Sequence, residues 1–379
     1  MKRLIFILLF TTSLLFPLLA HAQTFNTTEI YSQATVVKII KQETTISDSG
    51  YTTFTQVLQV RTEKGRSLTI TQTNDARIAA LVTYHVGQRV IVNESFGPNN
   101  TPRYTINDAY RIPQLVGMVL LFILVTLVFA GKKGIGAVVG LFVSLAVIIG
   151  YIVPQILFAK GDPLTVSIIG STGILLATTF LAHGLSKQTA LAVVSTFLAL
   201  IVAYFLSVFF VSIAHLTGLG SEDSVLLTIA PGQAIDPKGL LLGGIIIGTL
   251  GALNDVTTTQ VATIFALFKA NPNQHFGHLI RNGLEVGREH IVSLVNTLVL
   301  AYAGTSLPIF IFLILNPNHV PLWVMINNQQ FGEEIVRAIA GSIGLMLSVP
   351  IATLLAAYFV SKIIKNTSEK PQDIHTHIH

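Results

Sequence analysis

The chain alternates between three kinds of hydrophobic pattern. The first run, Leu4 to Leu19, follows Lys2 and Arg3 and ends at Ala20-His21-Ala22. A basic start, an apolar middle and a small-residue end make the pattern of a secretory signal peptide over residues 1–22, cleaved after Ala22; an uncleaved anchor helix fits the same residues. Residues 23–112 then carry short alternating runs, ATVVKII, FTQVLQVRT, SLTITQT, QRVIVNESF and YTIND, separated by Gly, Asn, Asp and Ser. Five such runs predict a small extracytoplasmic all-β domain, a compact barrel of the oligonucleotide-binding or SH3-like kind. Beyond Ile112 the apolar runs lengthen to the roughly 20 residues that cross a bilayer as a helix. They predict spans over 113–130, 135–157, 163–182, 189–214, 239–258, 291–315 and 335–361, a helical domain over 113–365 and a tail over 366–379.

The lysines and arginines test this arrangement, since short basic loops favour the cytoplasmic side. With the β-domain outside and seven spans, Lys132, Lys133, Lys187, Lys269, Arg281, Arg288, Lys362, Lys365 and Lys370 fall inside, and only Arg111, Lys160, Lys238 and Arg337 outside. The expected place is the cytoplasmic membrane of a bacterium, with residues 23–112 outside and the carboxy terminus inside. Half of the residues are hydrophobic and 11% are charged, against roughly a quarter charged in soluble domains; mean hydropathy is +0.67. The fold class is therefore an α-helical polytopic membrane protein behind a small β-domain. The net charge of +5 sits in connections rather than in a stripe with aromatics, so no nucleic acid is expected. The absence of cysteine excludes disulfides, thiolate metal sites and thiol nucleophiles.

Small residues recur along the spans, as in Gly136 with Gly140, Gly170 with Gly173, Gly244 with Gly248 and Gly251, and Gly341 with Gly344, a spacing that lets helices approach closely in lipid. Pro154 and Pro350 are expected to kink or end their helices. The connection over residues 216–239 reads as an ordinary outside loop, with SVLLTIA a re-entrant alternative, and Trp323 as an interface anchor. The tail holds His375, His377 and His379 at alternate positions, a mobile solvated end.

The polar chemistry gathers in one region. Residues 239–268 would make a helix of about 45 Å, against a hydrocarbon core of about 30 Å, so the helix should tilt, protrude or break, most readily between Gly251 and Thr259. There Asn254, Asp255, Thr258 and Thr259 interrupt an apolar run. Ionisable groups at bilayer depth are costly and mark functional sites, and a carboxylate among hydroxyls suits Na⁺ or H⁺; Asp255 capping the cytoplasmic end of its span is the other reading. Asn282, Glu285, Glu289, Ser293 and Asn296 recur every three or four residues, one polar stripe expected to point at other helices. Arg288 and Glu285 are candidates for an ion pair or gate, Arg288 by compensating Asp255. His290 reads as an interfacial side chain.

Two of these blocks, GTLGALNDVTTTQVA and GREHIVSLVNTLVLAYAG, resemble the YibE/F-like multi-pass membrane proteins, over roughly Val116 to Ser361. The first is similar to that family's small-residue stretch ending in an aspartate, here Gly248 to Asp255. The second is similar to its Gly-Arg-Asp, then Asn-Thr-Leu and Leu-Ala-Tyr, here Gly287, Arg288 and Glu289, then Asn296, Thr297 and Leu298, then Leu300, Ala301 and Tyr302. Glu289 replaces the aspartate, His290 an apolar residue and Val292 a glycine. The resemblance implies a bacterial membrane protein with an extracytoplasmic amino-terminal region, of a kind presumed to transport.

No nucleophile elbow, phosphate loop or zinc-protease helix occurs, so no enzyme, cofactor or metal is expected; a membrane aspartyl protease would need Asp255 and Glu289 to meet. The expected function is a secondary transporter or permease with an unknown small solute, its substrate or ion site formed by Asn254, Asp255, Thr258 and Thr259 with Glu289 and Asn296 facing them. The competing class is a non-transporting scaffold or signalling protein whose β-domain binds an envelope partner. Oligomeric state is not legible.

Overall fold

The computed structural model describes residues 30–46, 52–79, 82–96, 101–229, 235–316 and 319–368. Residues 1–22, expected to be a signal peptide, and the histidine tail lie outside the described residues. The chain divides into two compact units between Val125 and Thr126.

The five alternating runs form five antiparallel strands, β1 (Ile30–Ile46), β2 (Thr52–Thr62), β3 (Ser67–Asp75), β4 (Arg89–Phe96) and β5 (Pro102–Ala109), in the order β3-β2-β1-β4-β5. β3 and β5 approach each other, so the sheet nearly closes on itself. The circuit β1-β2-β3-β5-β4 is the oligonucleotide-binding kind of barrel, which by itself carries no function. Alternation buries one side of each strand: Val36, Leu58, Val60, Ile70, Val90, Val92 and Ile106 fill the core. β1 serves two partners because its register shifts twice, at Val36/Lys38 and Ile39/Lys41, and such bulges bend a strand. The buried Gln56 closes the side of the barrel by accepting from the Tyr84 N–H at 3.0 Å and donating to the Tyr84 carbonyl at 3.2 Å.

The apolar runs become helices α1 (Ile112–Gly131), α2 (Gly134–Leu157), α3 (Pro163–His183), α4 (Lys187–Ile213), α5 (Glu222–Ile229), α6 (Pro237–Ala270), α7 (Phe276–Thr305), α8 (Leu307–Leu315), α9 (Leu322–Ile326) and α10 (Gln329–Ser368). Among the described residues six are long and apolar enough to cross a membrane, or seven if α7 and α8, bent by 61°, make one span. The predicted 291–315 span therefore starts earlier, at Phe276, and turns at Ser306. The end of α1 is set at Gly131, whose φ of 55° and ψ of −136° suit a residue without Cβ. Side chains cap the starts of α3, α4 and α6, among others. Asp162 accepts from the Thr165 N–H, Ser186 from the Thr189 N–H, and Asp236 from those of Lys238 and Gly239, which satisfies donors a first turn leaves open.

Several expectations are corrected. The 216–239 connection is not a plain loop, because it holds α5, where the Ser221 hydroxyl accepts from the Ser224 N–H and Glu222 and Asp223 favour the first turn. The same connection is tied to α10, where Glu333 accepts from the Gly220 N–H at 2.8 Å. Pro350 lies inside α10 without ending it. Nearby, the hydroxyls of Ser348 and Thr353 donate to the Leu345 and Val349 carbonyls of the same helix. Pro154 follows a π-turn over Ile148–Ile152 and opens the last α segment of α2.

The expected break between Gly251 and Thr259 does not occur: α6 is one helix of 34 residues, about 51 Å long. Several of its polar residues find partners without unwinding it. Thr249 and Thr257 donate to the carbonyls of Ile245 and Leu253, one turn back. Thr257 also meets Thr196 of α4, and Gln260 donates to the Gly283 carbonyl of α7 and to Thr353 of α10. α4, α6 and α10 pack against one another, with α7 on α6 and α10 and α3 on α6; the buried residues of the helical core lie chiefly along these contacts.

Candidate functional site

The polar segment of α6 distributes its side chains by the 100° step of the helix, and each faces a different neighbour. Gln260 faces α7 and α10, Thr257 faces α4, and Asn254 faces α3, where Thr179 donates to its side-chain oxygen at 2.8 Å. Asp255 is one step further round, on an exposed line with Gly244, Gly248, Gly251 and Thr259. It forms no ion pair among the described residues.

Asp255 and Asn254 open into a cleft of about 670 Å³ between α2, α3 and α6. Its walls come close because Gly136 stands where a Cβ would meet the Leu181 carbonyl oxygen at 2.9 Å, and Gly140 packs on Thr178. Apolar side chains make most of the lining, among them Ile148, Ile174, Ile247 and Leu250, and the polar groups are Ser144, Thr178, His183, Asn254 and Asp255. His183 closes the last turn of α3 and lies within electrostatic reach of Asp255.

The hydroxyl protons here are already committed. Ser144 donates to the Gly140 carbonyl at 2.9 Å and Thr178 to the Ile174 carbonyl at 2.8 Å. Their oxygens therefore have only lone pairs to offer, while the Asn254 amide and the His183 ring supply N–H donors, so the cleft presents both kinds of group around one carboxylate. That chemistry suits a proton or a monovalent cation carried with a small solute. Among the described residues no group of three or more His, Cys, Asp or Glu could hold a metal ion.

The other predicted residues are placed differently. Thr258 is half-buried with its hydroxyl oxygen unpartnered, and Thr259 is exposed. Glu285, Arg288, Glu289, Ser293 and Asn296 of α7 are exposed and do not point at other helices. The reason is Gly283 and Gly287, which are buried and seat the opposite face of α7 on α6 and α10: a Cβ on Gly287 would run into Val349 and stand 3.2 Å from Gln260. The structure thus does not bring Glu289 and Asn296 to Asp255, nor Arg288 into an ion pair with it. His290 is half-buried, with Nδ1 unpartnered.

Sequence reasoning missed His183, Thr178 and Ser144: Ser144 and Thr178 lie inside the spans expected over 135–157 and 163–182, and His183 one residue past the second. The signal for His183 was its position just before Gly184 at the end of α3. The seat of α7 was legible as two glycines four apart. Residues 118–362 match the family model described as YibE/F-like protein. No curated protein and no solved structure matches the chain.

Proposed function

Since the match at residues 118–362 spans well over half of the chain, the protein belongs to the YibE/F-like family, and from that premise we propose a secondary transporter or permease of the bacterial cytoplasmic membrane. The observation that carries the reading is the cleft of about 670 Å³: a carboxylate, an imidazole and two hydroxyls with committed protons, at the depth of spanning helices. In this reading Asp255 carries the coupling proton or Na⁺, His183 modulates its charge, and Asn254, Ser144 and Thr178 coordinate the ion or a small polar solute. A carboxylate set among apolar side chains at that depth has reason to bind a cation, which is the basis of coupling. The β-domain lies outside and the carboxy terminus in the cytoplasm, as the basic residues favour.

The test is charge movement by the purified full-length protein in proteoliposomes on a solid-supported membrane, challenged with steps of pH and Na⁺ and a panel of metabolites. A transient current that depends on one ion gradient is the expected result. Silence under every gradient, with protein shown to be folded and uniformly oriented, overturns the reading.

A second reading, a scaffold or signalling protein without transport, draws on Val37, Ile40 and Ile46, large apolar residues that β1 leaves exposed and that an envelope partner would cover. Removing residues 23–112 separates the two. A transporter core is expected to keep its current without the β-domain, whereas a docking protein loses its role.

A further inference from the structure

The face of α7 turned away from the bundle carries Glu285, Glu289 and Asn296, steps of four and seven that keep them in one line. Val292 and Leu300 lie among them, 72% and 62% exposed, and Arg288 flanks the line one helical step from Glu289. The opposite face is seated through Gly283, Gly287, Leu294, Leu298 and Tyr302.

The depth of this line follows from what α7 touches. The Gly283 carbonyl accepts from Gln260 at 2.8 Å. Nineteen residues on, the Tyr302 hydroxyl stands 3.5 Å from where a Cβ on Gly248 would be. Glu289 and Asn296 lie between those two contacts, alongside the stretch of α6 from Gly248 to Gln260, which belongs to a membrane span. Carboxylates and amides at that depth are costly against lipid and usually face protein or a cavity. Among the described residues none of Glu285, Arg288 and Glu289 has an ion-pair partner.

We propose that a second copy of the same chain covers this face, with α7 packed on α7. Copies inserted in the same direction are related by an axis along the membrane normal, so the two α7 helices run parallel and residues at equal depth meet. Each copy then brings two carboxylates and one guanidinium to the interface, and Arg288 is what reconciles the charges across it. Arg288 of each copy reaches Glu285 or Glu289 of the other, and Asn296 meets its counterpart, with the amide of each able to donate and accept. Buried asparagine pairs of this kind set register between parallel helices, and polar contacts between membrane helices contribute association where apolar surface does not. A purely apolar span or lipid offers neither the charges nor the amide. The inference does not depend on transport.

The natural absence of cysteine makes the test direct. Single cysteines are placed in the full-length protein at Val292→Cys and Asn296→Cys, and at Phe209→Cys as a control, a residue of α4 that is 58% exposed. After oxidation in native membranes the two α7 positions are expected to give a covalent dimer and Phe209→Cys none. Arg288→Glu should lose the Val292→Cys dimer and R288E/E289R regain it. The unmodified protein, labelled and extracted with its lipid, should bleach in two steps. The proposal is overturned by single-step bleaching of the wild type, by crosslinks only to a different protein, by equal crosslinking at Phe209→Cys, or by a Val292→Cys dimer indifferent to R288E. Absence of dimer at both α7 positions, with thiols that react fully after denaturation, overturns it as well.

Discussion

Asp255→Asn is expected to reduce charge movement in proteoliposomes to the level of empty liposomes, while the protein still inserts, purifies and elutes as the wild type does. Asparagine keeps the size and one acceptor oxygen of the aspartate but replaces the other oxygen by a donor and removes the charge, so the loss reads the carboxylate itself. In the cleft that carboxylate is the sole acidic side chain, and no neighbour replaces it as a carrier. A structural role would look different. Had Asp255 neutralised Arg288, its removal would leave an uncompensated buried cation and lower the protein level, and loss of Arg288 would rescue it. Arg288 is exposed on another face, so Arg288→Gln is expected to give no rescue; rescue would make the pair structural. His183→Gln is expected to change the size of the current without abolishing it, because the imidazole lines the same cleft.

Gly287→Leu is expected to be the most damaging single change in the helical core, at about 3 kcal/mol or more. A side chain there meets Val349 and the amide of Gln260, so α7 must lift from α6 and α10. Over-packing costs about 1–3 kcal/mol, and lifting also breaks the Gln260 bonds to Gly283 and Thr353, each worth roughly 0.6–2 kcal/mol within a membrane protein. Gly277→Leu supplies the control on the same helix, since nothing lies within 4 Å of its added Cβ; its effect should stay within about 0.5 kcal/mol. Thermal unfolding of the full-length protein in detergent, followed by monodisperse fraction against temperature, distinguishes them. Equal behaviour of the two variants would show that α7 is not seated through Gly287.

These two residues also show where the sequence is readable. Strands and spans follow from periodicity and length, which are local properties: FTQVLQVRT alternates, and β2 buries Gln56, Leu58, Val60 and Thr62 in alternation. The polar region of α6 was legible as well, because an aspartate inside an apolar run is anomalous wherever it points. What was not legible is direction. A polar stripe in a membrane helix was expected to face inward, yet in α7 two side-chain-free positions offer closer packing than any polar residue, and the stripe turns outward. The break foreseen in α6 fails for a related reason. Threonine can return its proton to its own helix, as Thr249 and Thr257 do, and the remaining polar groups of α6 meet residues far away in the chain, Thr257 with Thr196 and Gln260 with Thr353. His183 reaches the cleft only through the packing of α3 on α6, which no local pattern encodes.

The continuity of α6 has a mechanical consequence. A rod of about 51 Å, capped at Asp236, works as a lever whose far end is Lys269 and Ala270. Asp255 stands about 27 Å along it, so whatever displacement the cleft imposes there is nearly doubled at the tip, and a tilt of 10° would carry the tip about 9 Å. A hinge at Gly251 to Thr259 would have absorbed that motion locally. Without one, the transport reading proposed above requires any motion at Asp255 to be shared by α6 as a whole, from Asp236 to the NPNQ connection that leads into α7.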